Sequence, residues 1–190
     1  MSAKTRQDTI WRKMIRAAKL DVDLYEEVEA DSRATGQAFL VVIIVSIAAG
    51  IGTGLGGIIE GGGLQFLWGL LVGLFTSIAG WLIWALITYV VGTTIFKGPE
   101  TKATYGELLR TLGFAQSPGV FRILAFIPFI GWLILLVTWV WSLVAGVIAV
   151  RQALDFSTGR AIATVVVGWI VAVVIVFVVT ALVVGAGAIF

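Results

Sequence analysis

The chain has 190 residues, of which 59% are hydrophobic and 13% charged, and it contains neither cysteine nor histidine. Soluble domains contain about 45–50% apolar and about 25% charged residues, so this composition excludes an ordinary water-soluble fold. Without cysteine or histidine there are no disulfides, no thiolate chemistry, and none of the commonest metal, haem or general-base side chains. We predict a non-enzymatic membrane protein with no cofactor and no metal.

Charged residues are nearly balanced in sign, with 13 Lys and Arg against 11 Asp and Glu. Residues 1–35 hold seven basic and seven acidic side chains. Nucleic-acid binding needs a basic surface, so this neutral mixture argues against it and against a polybasic lipid-binding segment. Because the first apolar run begins near Gly36, behind this charged segment, we expect no cleaved signal peptide.

Residues 8–30 are predicted to form one amphipathic helix. At 100° per residue, its apolar side chains fall within an arc of roughly 140°. They are Ile10, Trp11, Met14, Ile15, Ala18, Val22, Tyr25 and Val28. Asp8 or Thr9 is the expected N-cap. The helix either lies on the membrane surface with Trp11 at headgroup depth or docks a cytosolic partner, and the two interpretations are compatible.

Five apolar passes are predicted, over 38–59, 64–96, 117–127, 130–150 and 161–184. Crossing about 30 Å of hydrocarbon takes about 20 helical residues. The second block has 33 residues and would be about 50 Å long as one helix, so it must tilt, break or project into water. The third would be only about 16 Å long, so it is short or re-entrant and turns back at Pro128.

Turn and cap signals divide the rest of the chain. Thr104 and Glu107 fit a capping box that starts a short helix with Tyr105, Leu108, Leu109 and Leu112 along one side. Ser117 is the expected cap of the next helix, with Pro118 in its first position. Residues 151–160 are expected to form a polar loop in which Asp155 or Ser157 caps the last helix.

The distribution of Lys and Arg predicts the orientation. Residues 1–35 hold seven basic side chains, residues 97–122 hold four, and Arg151 and Arg160 add two. The turns near Glu60 and Pro128 and the C-terminal tail hold none. By the positive-inside rule, the N-terminus is cytoplasmic and the C-terminus lies outside.

Two ionisable residues are candidates for function at membrane depth. Glu60 is interpreted mainly as a water-facing loop carboxylate. Arg122 either extends to the headgroups or holds a phosphate or carbonyl cluster inside the bundle. The repeated small-residue spacings allow close helix packing, either within the chain or between copies. They are Gly50-x-x-x-Gly54, Gly52-x-x-x-Gly56, Gly57-x-x-x-Gly61 and Gly69-x-x-x-Gly73.

The tryptophans divide into two predicted groups. Trp68 and Trp132 are placed as interfacial anchors, whereas Trp81, Trp84, Trp139 and Trp141 are expected to pack inside the bundle.

Two segments carry a family resemblance. They are Asp23-Leu24-Tyr25-Glu26-Glu27-Val28 and the stretch from Thr104-Tyr105-Gly106-Glu107 through Arg110 to Ser117-Pro118. With five apolar passes, they resemble the Yip family of Ypt/Rab-GTPase-interacting membrane proteins, in its bacterial branch. The resemblance implies a five-pass helical domain with a cytosolic N-terminus. This chain lacks the long cytosolic region of eukaryotic relatives, so a Rab-type partner is not implied.

The function that we predict is a non-catalytic interaction, scaffold or membrane-organising component of a prokaryotic cytoplasmic membrane, as an accessory subunit or a homo-oligomer. Residues 1–35 would be its cytosolic segment and 36–190 its transmembrane domain. Its partners would be the lipid bilayer and other membrane proteins. The candidate interaction or packing residues are Trp11, Tyr25, Gly50, Gly54, Tyr105, Arg110, Pro118, Arg122 and Pro128. The alternative is a small transporter or channel with a site near the short third helix.

Overall fold

The structure is a computed structural model that describes residues 8–59, 63–98 and 101–187. Within these ranges the chain is all-helical, as predicted, and has no strand. The elements are α1 (Ile10–Ala18), α2 (Val22–Ala30), α3 (Ala34–Ile59), α4 (Gly63–Thr94), α5 (Tyr105–Ala115), a 3₁₀ helix (Ser117–Phe126), α6 (Gly131–Ala153) and α7 (Thr158–Gly187). Helices α3, α4, α6 and α7 are long and apolar enough to cross a membrane.

The N-terminal segment is two helices, so the prediction of one helix over 8–30 is wrong. Leu20 between them has φ 61°, in the left-handed region that ends a helix. Asp21 then caps α2, because its side chain accepts a hydrogen bond from the Asp23 N–H at 3.1 Å. Aspartate is among the preferred N-cap residues, and this signal was missed because the apolar periodicity continues across the break. Thr9 caps α1 as predicted.

The capping box that starts α5 is confirmed. The Glu107 N–H donates to the Thr104 hydroxyl at 3.3 Å, and the Thr104 N–H donates to the Glu107 carboxylate at 2.7 Å. Two N–H groups that have no partner inside the helix are satisfied in this way.

The third apolar segment is a 3₁₀ helix, and the prediction of Ser117 as its cap is wrong. The Ser117 hydroxyl donates backwards to the Phe114 carbonyl at 2.6 Å and accepts no N–H of the helix that follows. Pro118 lies in the first turn, as predicted. With a rise of about 2.0 Å per residue, ten residues span about 20 Å, less than the hydrocarbon thickness.

Both connections that flank α6 are tight. The chain reverses at Pro128, where Phe129 has φ 67° and the Ile130 N–H donates to the Pro128 carbonyl at 2.9 Å. At the other end, α6 continues to Ala153 and α7 begins at Thr158. The predicted polar loop of 151–160 is therefore only four residues long, since Arg151 and Arg160 are helical.

The closely packed core lies at one end of the bundle. There α1, α2 and α5, which we together call the head, cover the adjoining ends of the long helices. Buried side chains include Leu24, Val28, Val41, Leu108 and Ala149. Away from the head the long helices expose large apolar side chains, such as Leu64, Phe75, Trp132, Val176 and Phe177. Lipid is the solvent that suits such a surface.

Candidate functional site

Helices α1 and α2 are joined by Arg16. Its guanidinium lies 2.7 Å from the Asp21 carboxylate, 2.8 Å from that of Glu27 and 3.0 Å from that of Asp8. The hydrogen bond from Arg16 lowers the pKa of Asp21. Buried Lys13 lies 3.5 Å from Glu27, which adds a second ion pair between the two helices. Ion pairs of Lys13 and Arg16 with Asp21 and Glu27 therefore close a helical hairpin of α1 and α2, a role that the sequence reasoning did not assign.

Arg110 attaches this hairpin to α5. Its side chain is buried, and Nε donates to the Val28 carbonyl at 2.9 Å and to the Glu29 carbonyl at 3.1 Å. Its Nη2 also donates to Glu29. Helix α2 ends at Ala30, so these carbonyls belong to its last turn, whose C=O groups lack partners within the helix. A cation there also opposes the negative end of the helix dipole.

Acidic groups gather around the same contact. Burial raises the pKa of Glu29 to about 7, with further contributions from the charges of Glu107 and Asp155 that outweigh the opposing charge of Arg110. No group of three such side chains is placed to hold a metal ion within the ranges that the structure describes.

Aromatic and amide side chains make the remaining polar links of the head. The Trp141 indole N–H on α6 donates to the Ala18 carbonyl at the end of α1, at 2.7 Å. Further links are Trp81 to the Leu109 carbonyl at 3.1 Å, the Tyr105 hydroxyl to the Leu82 carbonyl at 2.8 Å, and Gln152 to the Glu26 carboxylate at 2.8 Å. Tyr25 is fully buried, with its hydroxyl 3.4 Å from the Ala17 carbonyl.

These contacts change the interpretation of the two amphipathic segments. The segment 8–30 was predicted to lie on the membrane surface or to dock a partner. Much of its apolar face instead packs within the chain, together with that of α5, although Trp11 and Ile15 stay exposed. Leu108, Leu112 and Phe114 of α5 are buried in this way. Helices α1 and α2 thus share one hydrophobic core with α5 and the long helices. The outer face of α2 is charged, with Asp23, Glu26 and Glu27 exposed, whereas α1 also exposes Trp11 and Ile15.

Three glycines of α3, Gly50, Gly52 and Gly54, lie at helix contacts within the chain. A Cβ on Gly50 would stand 2.6 Å from Leu70 of α4, and one on Gly54 would overlap the Phe66 ring. A Cβ on Gly52 would overlap the backbone carbonyl of Arg122. Gly69 and Gly73 differ, because a Cβ on either would meet nothing within 4 Å. Gly61, like Glu60, lies outside the described residues.

Arg122 is half-buried on the 3₁₀ helix. Its Nε lies 3.7 Å from the position that a Cβ of Gly119 would occupy, so the side chain extends back towards the start of its helix. Among the described residues it has no hydrogen bond or ion pair. The 3₁₀ helix starts directly after α5, so the Arg122 side chain extends towards the head. Its two predicted roles, extension to the headgroups or a site inside the bundle, stay predictions.

The tryptophans follow the prediction in part. Trp81 is buried, while Trp68 and Trp132 are 64% and 66% exposed. Trp139, predicted to pack inside, is 54% exposed, because it faces away from the helices that cover α6. Trp141 stacks on Phe121, with ring centroids 5.7 Å apart. Trp11 is exposed on α1.

Four long apolar helices with a polar head at one end define a multi-pass helical membrane protein. The family model of the Yip1 domain matches residues 22–181. The chain therefore belongs to the Yip1 domain family, which confirms the predicted family; its placement in the bacterial branch stays a prediction. No curated protein and no solved structure matches it.

Proposed function

We propose that the chain is a non-catalytic interaction or membrane-organising protein, acting as a homo-oligomer or as an accessory subunit of a larger membrane assembly. The observation that carries the proposal is the attachment of α2 by buried Arg110, which holds the charged outer face of the head in one orientation. A fixed, charged surface suits recognition of another protein. Tyr25, Tyr105, Gly50, Gly54 and Pro118 have packing roles in this proposal.

A partner search in mild detergent tests the role. We expect purification from the native membrane to recover a stable partner or a homo-oligomer. Asp23→Arg reverses an exposed charge on the outer face of α2 and should weaken that association. Lys102→Glu, a charge reversal on an exposed loop residue outside α2, is the matched control. A monodisperse monomer that brings no partner would contradict the proposal.

The proposed topology has five passes, with the 3₁₀ helix as a short third leg that turns at Pro128. The N-terminus would be cytoplasmic, the C-terminus outside, and the membrane the prokaryotic cytoplasmic one. Two contacts support placing the basic segments on the same side of the membrane. Gln152 contacts Glu26 of the N-terminal segment, and the Arg160 guanidinium lies 2.5 Å from the position that a Cβ of Gly98 would occupy. Helix α1 would lie in the interface, with exposed Trp11 at headgroup depth.

Cysteine labelling tests this topology cleanly, because the natural chain has no cysteine. In intact cells a membrane-impermeant maleimide should label Phe129→Cys, and it should reach Lys102→Cys and Arg160→Cys only after lysis. Phe129 is 94% exposed, so a lack of labelling from outside would mean that the third leg does not cross. Labelling of positions 102 and 160 from opposite faces would contradict the whole arrangement.

The transporter alternative has less support. The cavity of about 300 Å³ beside the 3₁₀ helix is lined by six apolar side chains and Thr138. An ion or polar solute would find few ligands there. Flux through liposomes that disappears in Arg122→Ala would restore this alternative.

A further inference from the structure

An apolar groove separates α1 from the 3₁₀ helix and α6. Its upper part is a cavity of about 290 Å³ between the head and the bundle. Its lower part is the cavity of about 300 Å³ that follows α6. Phe121 and Trp141, which stack on each other, line both cavities, so the two cavities are neighbours on either side of this aromatic pair. Each has about the volume of a small ligand site.

The groove has one charged end. Lys19, at the end of α1, is exposed and belongs to the lining of the upper cavity. Among the described residues it makes no ion pair, whereas Arg12, Lys13 and Arg16 on the same helix are paired with carboxylates. An unpaired ammonium group therefore stands where an otherwise apolar groove begins.

Apolar side chains continue from this end along α6. Trp11 and Ile15, more than half exposed, flank the upper cavity on the α1 side. Leu133, Ile134 and Val137 line the lower cavity, on a helix apolar enough to cross a membrane. From Trp141 to Leu133 the groove follows about 12 Å of helix. The charge at one end and the apolar walls beyond it match the two parts of a phospholipid.

We infer that the groove between α1, the 3₁₀ helix and α6 binds a membrane phospholipid with an anionic headgroup. Its phosphate pairs with Lys19, and one acyl chain passes over the edges of the stacked Phe121 and Trp141 rings and continues along α6. Since Trp141 also donates to the Ala18 carbonyl, the lipid contacts the residue that holds α1 to the bundle. The inference rests on the membrane placement of the long helices and not on the scaffold role, so a failed partner search leaves it untouched.

Photo-crosslinking in vesicles tests the site with the full chain. Vesicles of phosphatidylcholine carry a trace of a lipid with a diazirine in its acyl chain and either a phosphatidylglycerol or a phosphatidylcholine headgroup. Adducts are mapped by peptide mass spectrometry to the groove, at Phe121 and Trp141. The outer surface of α7, at Val173, Val176 and Phe177, reports ordinary lipid contact.

The expected result is a headgroup preference confined to the groove. One Lys near a membrane surface favours an anionic lipid by about fivefold. The ratio of phosphatidylglycerol adducts to phosphatidylcholine adducts should therefore be about fivefold higher at the groove than on α7. Lys19→Gln should bring this ratio to that of α7, and Lys19→Arg should preserve it. Lys102→Gln removes the same charge from an exposed loop and should change nothing.

A second variant tests the acyl-chain part. Val120→Phe fills the upper cavity and should reduce groove adducts of both lipids while those on α7 stay constant. Circular dichroism and size-exclusion chromatography verify the fold of each variant. The inference would be overturned if the wild type gave the same ratio of phosphatidylglycerol to phosphatidylcholine adducts at the groove and on α7. It would also be overturned if folded Lys19→Gln kept the wild-type preference for phosphatidylglycerol at the groove.

Discussion

Arg110 joins two parts of the chain that are 82 residues apart in sequence. Its guanidinium is buried and donates to backbone carbonyls at the end of α2, which lack partners inside their own helix. Hydrogen bonds from a charged donor contribute more than neutral ones, and their loss leaves the buried acceptors unsatisfied.

Arg110→Ala should release α2 from the bundle. We expect a loss of about 1.5–3 kcal/mol in the free energy of unfolding, because the charged hydrogen bonds disappear and nothing replaces them. Compared with the wild type, the rate of amide hydrogen exchange should increase more in α1 and α2 than in α6. Lys102→Ala, in an exposed loop, is the control and should leave both quantities unchanged. Equal protection of α2 in variant and wild type would show that apolar packing alone holds the hairpin.

Glu29 should make the head sensitive to pH. Its pKa is raised from the ordinary value of 4.5 to about 7, chiefly by burial, so the folded state holds the proton more tightly than the unfolded state. The stabilisation is fully present below pH 4.5 and is lost as the pH rises through 7. The head should therefore be less stable at pH 8 than at pH 5.

Glu29→Gln isolates this contribution, because glutamine resembles the protonated acid and does not titrate. The difference in melting temperature between variant and wild type should be small near pH 5 and should favour the variant by pH 8. Glu27→Gln is a contrasting control. In the wild type the Glu27 carboxylate pairs with Arg16, so its loss should destabilise the protein at pH 8. If the difference in melting temperature between Glu29→Gln and the wild type were the same at pH 5 and at pH 8, this account would be contradicted.

At the scale of elements, glycines set how closely α3 approaches its neighbours. Gly50 and Gly54 face α4, and Gly52 faces the backbone of the 3₁₀ helix. Small residues let helix backbones approach in this way in membranes. Because the carbonyl of Arg122 lies where a Cβ of Gly52 would stand, the short third leg can lie against α3 only if position 52 has no side chain.

Gly52→Ala should therefore be destabilising, since a rigid backbone has to move to admit the methyl group. Overpacking of this kind costs about 1–3 kcal/mol. Gly146→Ala in α6 is the matched control, because its Cβ would meet nothing within 4 Å. That change should be neutral or stabilising by about 0.5–1 kcal/mol through helix propensity. Thermal unfolding in detergent measures both, and a neutral Gly52→Ala would contradict the close approach.

At the scale of the whole molecule, the protein has a well-packed end and a lipid-exposed end. The head packs against the adjoining parts of α3, α4 and α6, and the far parts of α4 and α7 present large apolar side chains outwards. The hydrophobic effect thus stabilises mainly the head, where apolar side chains are buried away from water. Contact with lipid and packing between helices stabilise the remainder.

Deletion of residues 1–33 should impair the whole protein and not merely remove an appendage. Leu24, Tyr25 and Val28 are fully buried against the bundle, and their loss would expose apolar surface on α5 and α6. Fluorescence-detected size-exclusion chromatography should show aggregation or a lower melting temperature for the truncated chain. Full stability of the truncated chain would indicate that residues 1–35 are an independent segment, as their composition suggests.

Composition and short local signals determined much of this protein without tertiary information. The membrane class follows from the apolar fraction, the long helices from uninterrupted apolar runs, and the start of α5 from a capping box between Thr104 and Glu107. Arg110 and Tyr25 were singled out through their motifs, but no motif indicated what they contact.

Only the tertiary structure decided what the amphipathic faces cover. Periodicity shows that a face is apolar but not whether lipid, a partner or the same chain covers it. Here the apolar side chains of α2 and α5 and part of those of α1 pack within the chain, while Trp11 and Ile15 stay exposed. The attachment of α2 by Arg110 and the shifted pKa of Glu29 depend on contacts between distant segments. Such contacts leave no periodic trace in a sequence, because each is made by one pair of positions brought together by the fold.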